Sequence, residues 1–76
     1  MSHLPQVTGE ELIRVLQRLG FHVHRKKGSY RFLKHKTDPN RFALVAVHKG
    51  ETIPPGTLTK ILRTAKVSVE KLKQYL

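Results

Sequence analysis

The spacing of apolar residues changes along the chain, and it begins as the spacing of a helix. Thr8-Gly9-Glu10-Glu11 has the pattern of a capping box, in which the Thr8 hydroxyl and the Glu11 carboxylate each accept a backbone amide. Gly20 suits the left-handed conformation that ends many helices. Between these signals four apolar residues fall on one helical face: Leu12, Ile13, Leu16 and Leu19. The sequence therefore predicts an amphipathic first helix of about three turns.

From Phe21 the apolar period shortens to that of a strand. Phe21 and Val23 alternate with His22 and His24, which is the pattern of a strand with one buried and one solvated face. Residues 36–40 have a turn-forming composition, and residues 41–47 form the most apolar strand of the chain. Three strands in succession most simply form an antiparallel meander.

The middle strand is predicted over Tyr30–His35, after a turn at Gly28 and Ser29. Its two faces are mixed in character. One carries Tyr30, Phe32 and Lys34, and the other carries Ser29, Arg31, Leu33 and His35. Neither face is cleanly apolar, so the alternation leaves open which of them meets the core.

A loop over residues 49–56 precedes the helical end of the chain, since its prolines are excluded from helix interiors and central strands. Residues 57–66 return to helical spacing, and Ser68 is placed to cap a short last helix over 69–75, with Glu70 near its positive N-terminus. The predicted fold class is α+β. The order is α-β-β-β-α in a single domain over residues 1–76, with both main helices on one face of a three-stranded antiparallel sheet and the other face free for a partner.

Charge narrows the class of partner. The chain has 15 Lys and Arg residues against five Asp and Glu, a formal net charge of +10, and six of the cations fall within residues 25–36. This density favours a polyanion through counterion release. The chain has no long basic amphipathic helix, so nucleic acid is favoured over a membrane surface. Residues 1–7 do not have the pattern of a signal peptide, and we expect a cytoplasmic protein.

The residues that carry chemistry favour proton transfer over metal or cofactor chemistry. The chain has no cysteine, and His22 with His24 lacks a clear third ligand, so no metal site and no cofactor is predicted. RNA cleavage requires groups that transfer protons at the 2′-hydroxyl and the leaving oxygen, together with cations that hold the phosphate. Histidine performs such transfers near neutral pH. The histidines closest to the basic strands are His24, His35 and His48, although a single histidine is more often a surface residue than a catalyst.

Four segments in this order resemble a known family. They are Leu-Gly-Phe at 19–21, Lys-Lys-Gly-Ser-Tyr-Arg at 26–31, Val-His-Lys-Gly-Glu at 47–51 and Pro-Gly-Thr-Leu-Thr-Lys-Ile-Leu-Arg at 55–63. From residue 8 to about residue 68 the chain is similar to the HicA toxins of HicA/HicB toxin-antitoxin pairs. The resemblance implies a fold like that of double-stranded-RNA-binding domains, cleavage of mRNA, and neutralisation by a HicB-type antitoxin.

One position departs from the family pattern. HicA proteins typically have Gly-Ser-His at the start of the second strand, and that histidine is catalytic, whereas this chain has Tyr30 after Gly28 and Ser29. A phenol is almost wholly protonated at neutral pH, so tyrosine is a poor general base. Three explanations stay open: an inactivating substitution, a natural variant that uses another histidine, and a toxin-like protein that only binds.

The sequence thus predicts a site around the first hairpin. Tyr30 occupies the catalytic position and His48 is a second, weaker catalytic candidate. The predicted RNA-binding residues are Lys26, Lys27, Gly28, Ser29, Arg31 and Lys34. The alternative to an endoribonuclease is a non-catalytic double-stranded-RNA-binding module on the same surface.

Overall fold

The computed structural model of this protein describes residues 3–76, so the first two residues of the predicted domain, Met1 and Ser2, lie outside the described part. The elements are α1 (Gly9–Arg18), β1 (Phe21–Lys27), β2 (Tyr30–His35), β3 (Phe42–Ala46), α2 (Pro55–Ala65) and α3 (Val69–Gln74). This order confirms the predicted α-β-β-β-α arrangement with a short appended helix.

Helix α1 is bounded by the signals read from the sequence. The Thr8 amide donates to Oε1 of Glu11 at 2.8 Å, and the Glu11 amide donates to Oγ1 of Thr8 at 3.1 Å, which completes the capping box. Gly20, with φ of +100°, follows the helix and starts the turn into β1. The buried side chains of α1 include Leu12, Leu16 and also Val15, which the prediction omitted; Ile13 and Leu19 are only partly buried.

The sheet is the predicted antiparallel meander, in the order β1-β2-β3. β1 extends to Lys27, which pairs with Tyr30, so the first hairpin has a two-residue turn at Gly28 and Ser29. The register shifts between Val23 and Arg25, leaving His24 as the extra residue of a β-bulge. After the bulge the alternation of β1 changes phase.

Leu33 decides which face of β2 meets the core. It is fully buried, together with Phe21 of β1 and with Ala43 and Val45 of β3. These side chains share one core with α1 and α2, so both main helices cover the same face of the sheet. We call the other side, which carries Tyr30, the outer face.

Helix α2 begins at Pro55, two residues before the predicted start. Proline suits the first helical position, because the amide it lacks has no partner there and its fixed φ matches a helix. At the other end the Arg41 side chain donates from Nε to the Ala65 carbonyl at 2.8 Å and ties α2 to the start of β3. Ser68 caps α3 by accepting the Lys71 amide, as predicted.

The segment after β3 returns to the start of the chain. The Ile53 amide donates to the Val7 carbonyl at 2.8 Å, and Thr8 forms an isolated bridge with Thr52. The first residue of α1, Gly9, is thereby pressed against the end of β3. A Cβ atom at Gly9 would lie 2.5 Å from the Ala46 carbonyl oxygen.

We therefore expect Gly9→Ala to lower the free energy of unfolding by about 1–3 kcal/mol, the usual range for overpacking, because the contact is with backbone that cannot rotate away. Urea denaturation measures the change. Gly56→Ala is the matched control: a Cβ atom at Gly56 meets nothing within 4 Å in the first turn of α2. It should be neutral or stabilising by up to about 1 kcal/mol. Equal stability of the two variants would contradict a tight approach of α1 to β3.

Candidate nucleic-acid interface

The outer face is a regular array of nine side chains, because residues that pair across antiparallel strands point to the same side. Three rows cross the sheet from β1 through β2 to β3: His22, Lys34 and Phe42; Arg25, Phe32 and Leu44; Lys27, Tyr30 and Ala46. The β1 column is basic, the β2 column is mainly aromatic, and the β3 column is apolar. The side chains of the outer face therefore change from cationic on β1 to apolar on β3.

The first hairpin turn presents Tyr30 and Lys27 side by side at one end of this array. Gly28 has φ of +56° at the first turn position, a conformation that suits glycine, and a Cβ atom there would meet nothing within 4 Å. The Ser29 carbonyl accepts the Val47 amide at 2.7 Å. This bond holds the turn against the segment that leads to His48.

Arg31 does not lie on the outer face with Tyr30 and Phe32, the residues on either side of it in the sequence. It pairs with Lys26 and Val45, and Val45 is buried, so Arg31 lies on the helical side of the sheet. Its Nη1 donates to the carbonyl oxygens of Gly28 at 2.8 Å and Tyr30 at 3.1 Å. The guanidinium thus stabilises the hairpin turn from the helical side of the sheet.

Tyr30 and His48, the two predicted catalytic positions, line the same groove. The groove has a volume of about 570 Å³ and lies between the outer face and α2, with Thr57, Lys60 and Thr64 on its helical side. A second depression of about 420 Å³ adjoins it and is lined by Arg25, Lys27, Tyr30, Phe32 and Leu44. Tyr30 and Leu44 belong to both. The fold therefore brings residues 18 positions apart in sequence to one site.

His35, another of the candidate histidines, has a structural role. Its Nδ1 accepts the backbone amides of Thr37 and Asp38, each at 3.2 Å, which assigns the ring proton of the neutral form to Nε2. The ring meets Phe21 edge-on, with 5.1 Å between centroids. These contacts organise the β2–β3 turn and leave His35 out of the groove.

His24, at the bulge, is exposed and its ring lies 6.2 Å from that of Phe32. It contributes to the basic edge of the outer face and does not line the groove that contains Tyr30 and His48. Within residues 3–76 no three His, Cys, Asp or Glu side chains are grouped so as to hold a metal ion.

The charged side chains that line the groove and the adjoining depression are all basic. None of the described Asp or Glu residues lines the groove or the adjoining depression. Glu10 and Glu11 instead lie in the first turn of α1, and Glu70 in that of α3. No helix in the described part of the chain is long and apolar enough to cross a membrane.

A family model for the HicA toxin of bacterial toxin-antitoxin systems matches residues 9–67. The chain belongs to the HicA toxin family. This HicA-family chain is accordingly a toxin of a toxin-antitoxin system, and its family implies a cognate antitoxin. The matched span starts at the first residue of α1 and ends just after α2, so it contains the whole sheet and leaves out α3. A search of curated proteins found no match.

Three contributors to this surface were missed from the sequence: Phe42, Leu44 and Lys60. A signal for the first two was present, since every residue from 42 to 47 is apolar while only one face of the sheet could be covered by helices. A contiguous patch of exposed apolar side chains on the uncovered face is a feature of binding surfaces. Lys60 carried no such signal, because a lysine on a helix is ordinarily solvated.

Proposed function

We propose that this HicA-family toxin binds RNA across the outer face and is an endoribonuclease acting on mRNA in the cytoplasm, with cleavage weakened by Tyr30. The observation that carries the proposal is the shared groove of Tyr30 and His48 beside the basic column of β1. Residues 1–76 form the domain that performs this function.

The chemistry follows from the groups in the groove. In RNA cleavage the 2′-oxygen loses its proton and attacks the neighbouring phosphorus, and the 5′-oxygen leaves with a proton. The His48 imidazole is suited to one of these transfers. The Tyr30 phenol can donate a hydrogen bond to a phosphate oxygen, but it is a poor base, so one half of the acid-base pair is weak.

Six residues are proposed to hold the RNA. Lys27 and Lys34 lie on the outer face, whereas Lys26 pairs with Arg31 and so lies on the helical side, exposed at the end of the same hairpin. Gly28 leaves the turn open to close approach of a phosphate, and Ser29 is the second residue of that turn. Arg31 keeps N–H donors beyond those it gives to the turn carbonyls, so it can brace the turn and contact phosphate together.

A non-catalytic RNA-binding module is the second candidate, and Tyr30 at the catalytic position is the observation that favours it. The two candidates share a binding surface. They differ in whether restoring histidine restores cleavage.

A HicB-type antitoxin is proposed to neutralise the toxin by covering the first hairpin. Complementary acidic groups on the antitoxin would speed association with the basic strand and select the partner. Covering the hairpin would block the groove without any change in fold.

Tyr30→His should raise the rate of RNA cleavage by roughly 10²–10⁴-fold, the usual value of general acid-base catalysis. The measurement is cleavage of a single-stranded RNA by the purified protein, together with growth on induced expression; we expect growth arrest with histidine and little with tyrosine. Tyr30→Phe is the matched control, since it removes only the hydroxyl and supplies no base. Absence of cleavage in both the parent and Tyr30→His would identify the binding module.

Lys26→Gln with Lys27→Gln should weaken RNA binding and flatten its dependence on salt. Each lost phosphate contact changes the log-log slope by about 0.7 on a single strand, so the expected change is up to about 1.4. Lys71→Gln with Lys73→Gln is the control of equal charge, because both lysines lie on α3, whose Leu72 packs on the helical side. If both pairs change the slope equally, binding depends on net charge and not on the hairpin.

The antitoxin complex should protect the backbone amides of residues 27–32 from hydrogen exchange, because a partner that covers the hairpin excludes solvent from it. Exchange is compared for the toxin alone and with its purified HicB-type antitoxin. Protection confined to residues 12–19 and 58–65, on the two main helices, would show that neutralisation acts from the helical side.

A further inference from the structure

The outer face carries a concentration of exposed apolar side chains that RNA cleavage alone does not require. Among the described residues four large hydrophobic side chains are exposed, and three of them lie on this face: Tyr30 at 51%, Phe42 at 40% and Leu44 at 52%. Leu76, the fourth, is remote from it. A contiguous exposed apolar patch on a small protein ordinarily marks a binding site.

Two aromatic rings on this face, those of Phe32 and Phe42, pack against neighbouring rings. The Phe32 ring lies between those of Phe42, at 6.1 Å, and His24, at 6.2 Å, and is itself half-buried. Phe42 therefore rests on a fixed neighbour and presents its exposed part to solvent. A ring that packs against a neighbour has less rotational freedom to lose, so stacking a flat ligand on it costs less conformational entropy.

The basic residues around the apolar patch indicate what kind of ligand binds there. The apolar patch is bordered by Arg25 and Lys27 on its β1 side and by Lys60 on its α2 side, and no described acidic residue lines either depression. A ligand with apolar flat groups and a chain of negative charges matches this arrangement. Unpaired nucleic acid has both, because its bases expose their faces and its phosphates follow at regular intervals.

The same arrangement disfavours duplex RNA. In an A-form helix the bases stack on one another, and proteins recognise the duplex through its shape, phosphates and 2′-hydroxyls. The exposed aromatic rings would then face a hydrated phosphate backbone, and they would add no stacking energy to the binding of a duplex.

We infer that the outer face is a stacking platform for single-stranded RNA, with bases on Tyr30 and Phe42 and the phosphates along the basic column of β1. This inference rests on the proposed function and specifies its substrate as unpaired RNA. The resemblance in fold to double-stranded-RNA-binding domains thus does not extend to the ligand. Phe42 acts as a positioning residue, since it holds a base two rows of the sheet away from Tyr30, at the other end of the outer face.

The test measures binding, which needs no cleavage and uses the full chain with Tyr30 in place. Fluorescence anisotropy is recorded with a labelled single-stranded RNA of about ten nucleotides, within the site size of single-strand binders. The same strand annealed to its complement is the duplex probe. We expect the single strand to bind more tightly than the duplex at equal salt.

Phe42→Ala should lower single-strand affinity by roughly 5- to 150-fold, the range reported by alanine substitution at base-stacking positions, and leave duplex binding unchanged. The salt dependence should stay that of the parent, because no charge is lost. Phe42→Leu preserves apolar packing but not the aromatic ring, so it should show a similar loss and excludes misfolding as the cause. Phe42→Trp should keep or raise the affinity. Leu76→Ala, an exposed apolar residue outside the patch, is the control.

If Phe42→Ala bound the single strand as tightly as the parent, the inference of a stacking platform would be wrong. If Lys26→Gln with Lys27→Gln still weakened binding, the proposed RNA-binding function would stand without it. If Phe42→Ala instead reduced affinity for the antitoxin alone, the patch would be a protein contact. If the parent bound neither probe at low salt, the proposed function and this inference would both fail.

Discussion

The burial of Leu33 between the two main helices and the neighbouring strands is the interaction on which the rest of this structure depends. β2 is the central strand, and Leu33 is its only fully buried side chain. Because side chains alternate strictly along a strand, this one position sends Tyr30, Phe32 and Lys34 to the opposite side. A slip of one residue would bury Lys34 and remove the aromatic column from the surface. The core and the composition of the outer face are therefore specified by the same residue.

Features that depend on neighbours in sequence were predictable. The capping box at Thr8 and Glu11, the turn at Gly28 and the cap at Ser68 each involve residues within a few positions of one another, so their chemistry is visible in the sequence. The predicted start of α2 is two residues late, because proline is excluded from helix interiors but suits the first helical position, where Pro55 lies. The orientation of β2 was not predictable, since both of its faces contain apolar and cationic residues.

The site was predictable in its residues more than in its geometry. The basic hairpin was visible as a run of cations, and the family pattern drew attention to Tyr30 and His48. That these two line one groove depends on the bond between Ser29 and Val47, which joins segments far apart in sequence. The run of cations predicts that Arg31 binds phosphate, whereas its contacts with the turn carbonyls depend on three-dimensional packing that no local pattern encodes.

Because His24 is an extra residue in a bulge, β1 could be one residue shorter without any change in how its other residues pair with β2. His24 is an additional residue opposite the β2 ladder, and the pairs beyond it, Arg25 with Phe32 and Lys27 with Tyr30, are those that an uninterrupted strand one residue shorter would form. Deleting His24 would therefore preserve the alignment of cations and aromatic rings and remove only the local bend and extra twist. A change in chain length at this point alters the curvature of the outer face while the side chains of each row stay the same. At the bulge, the shape of the outer face can thus change without a change in the residues that form its rows.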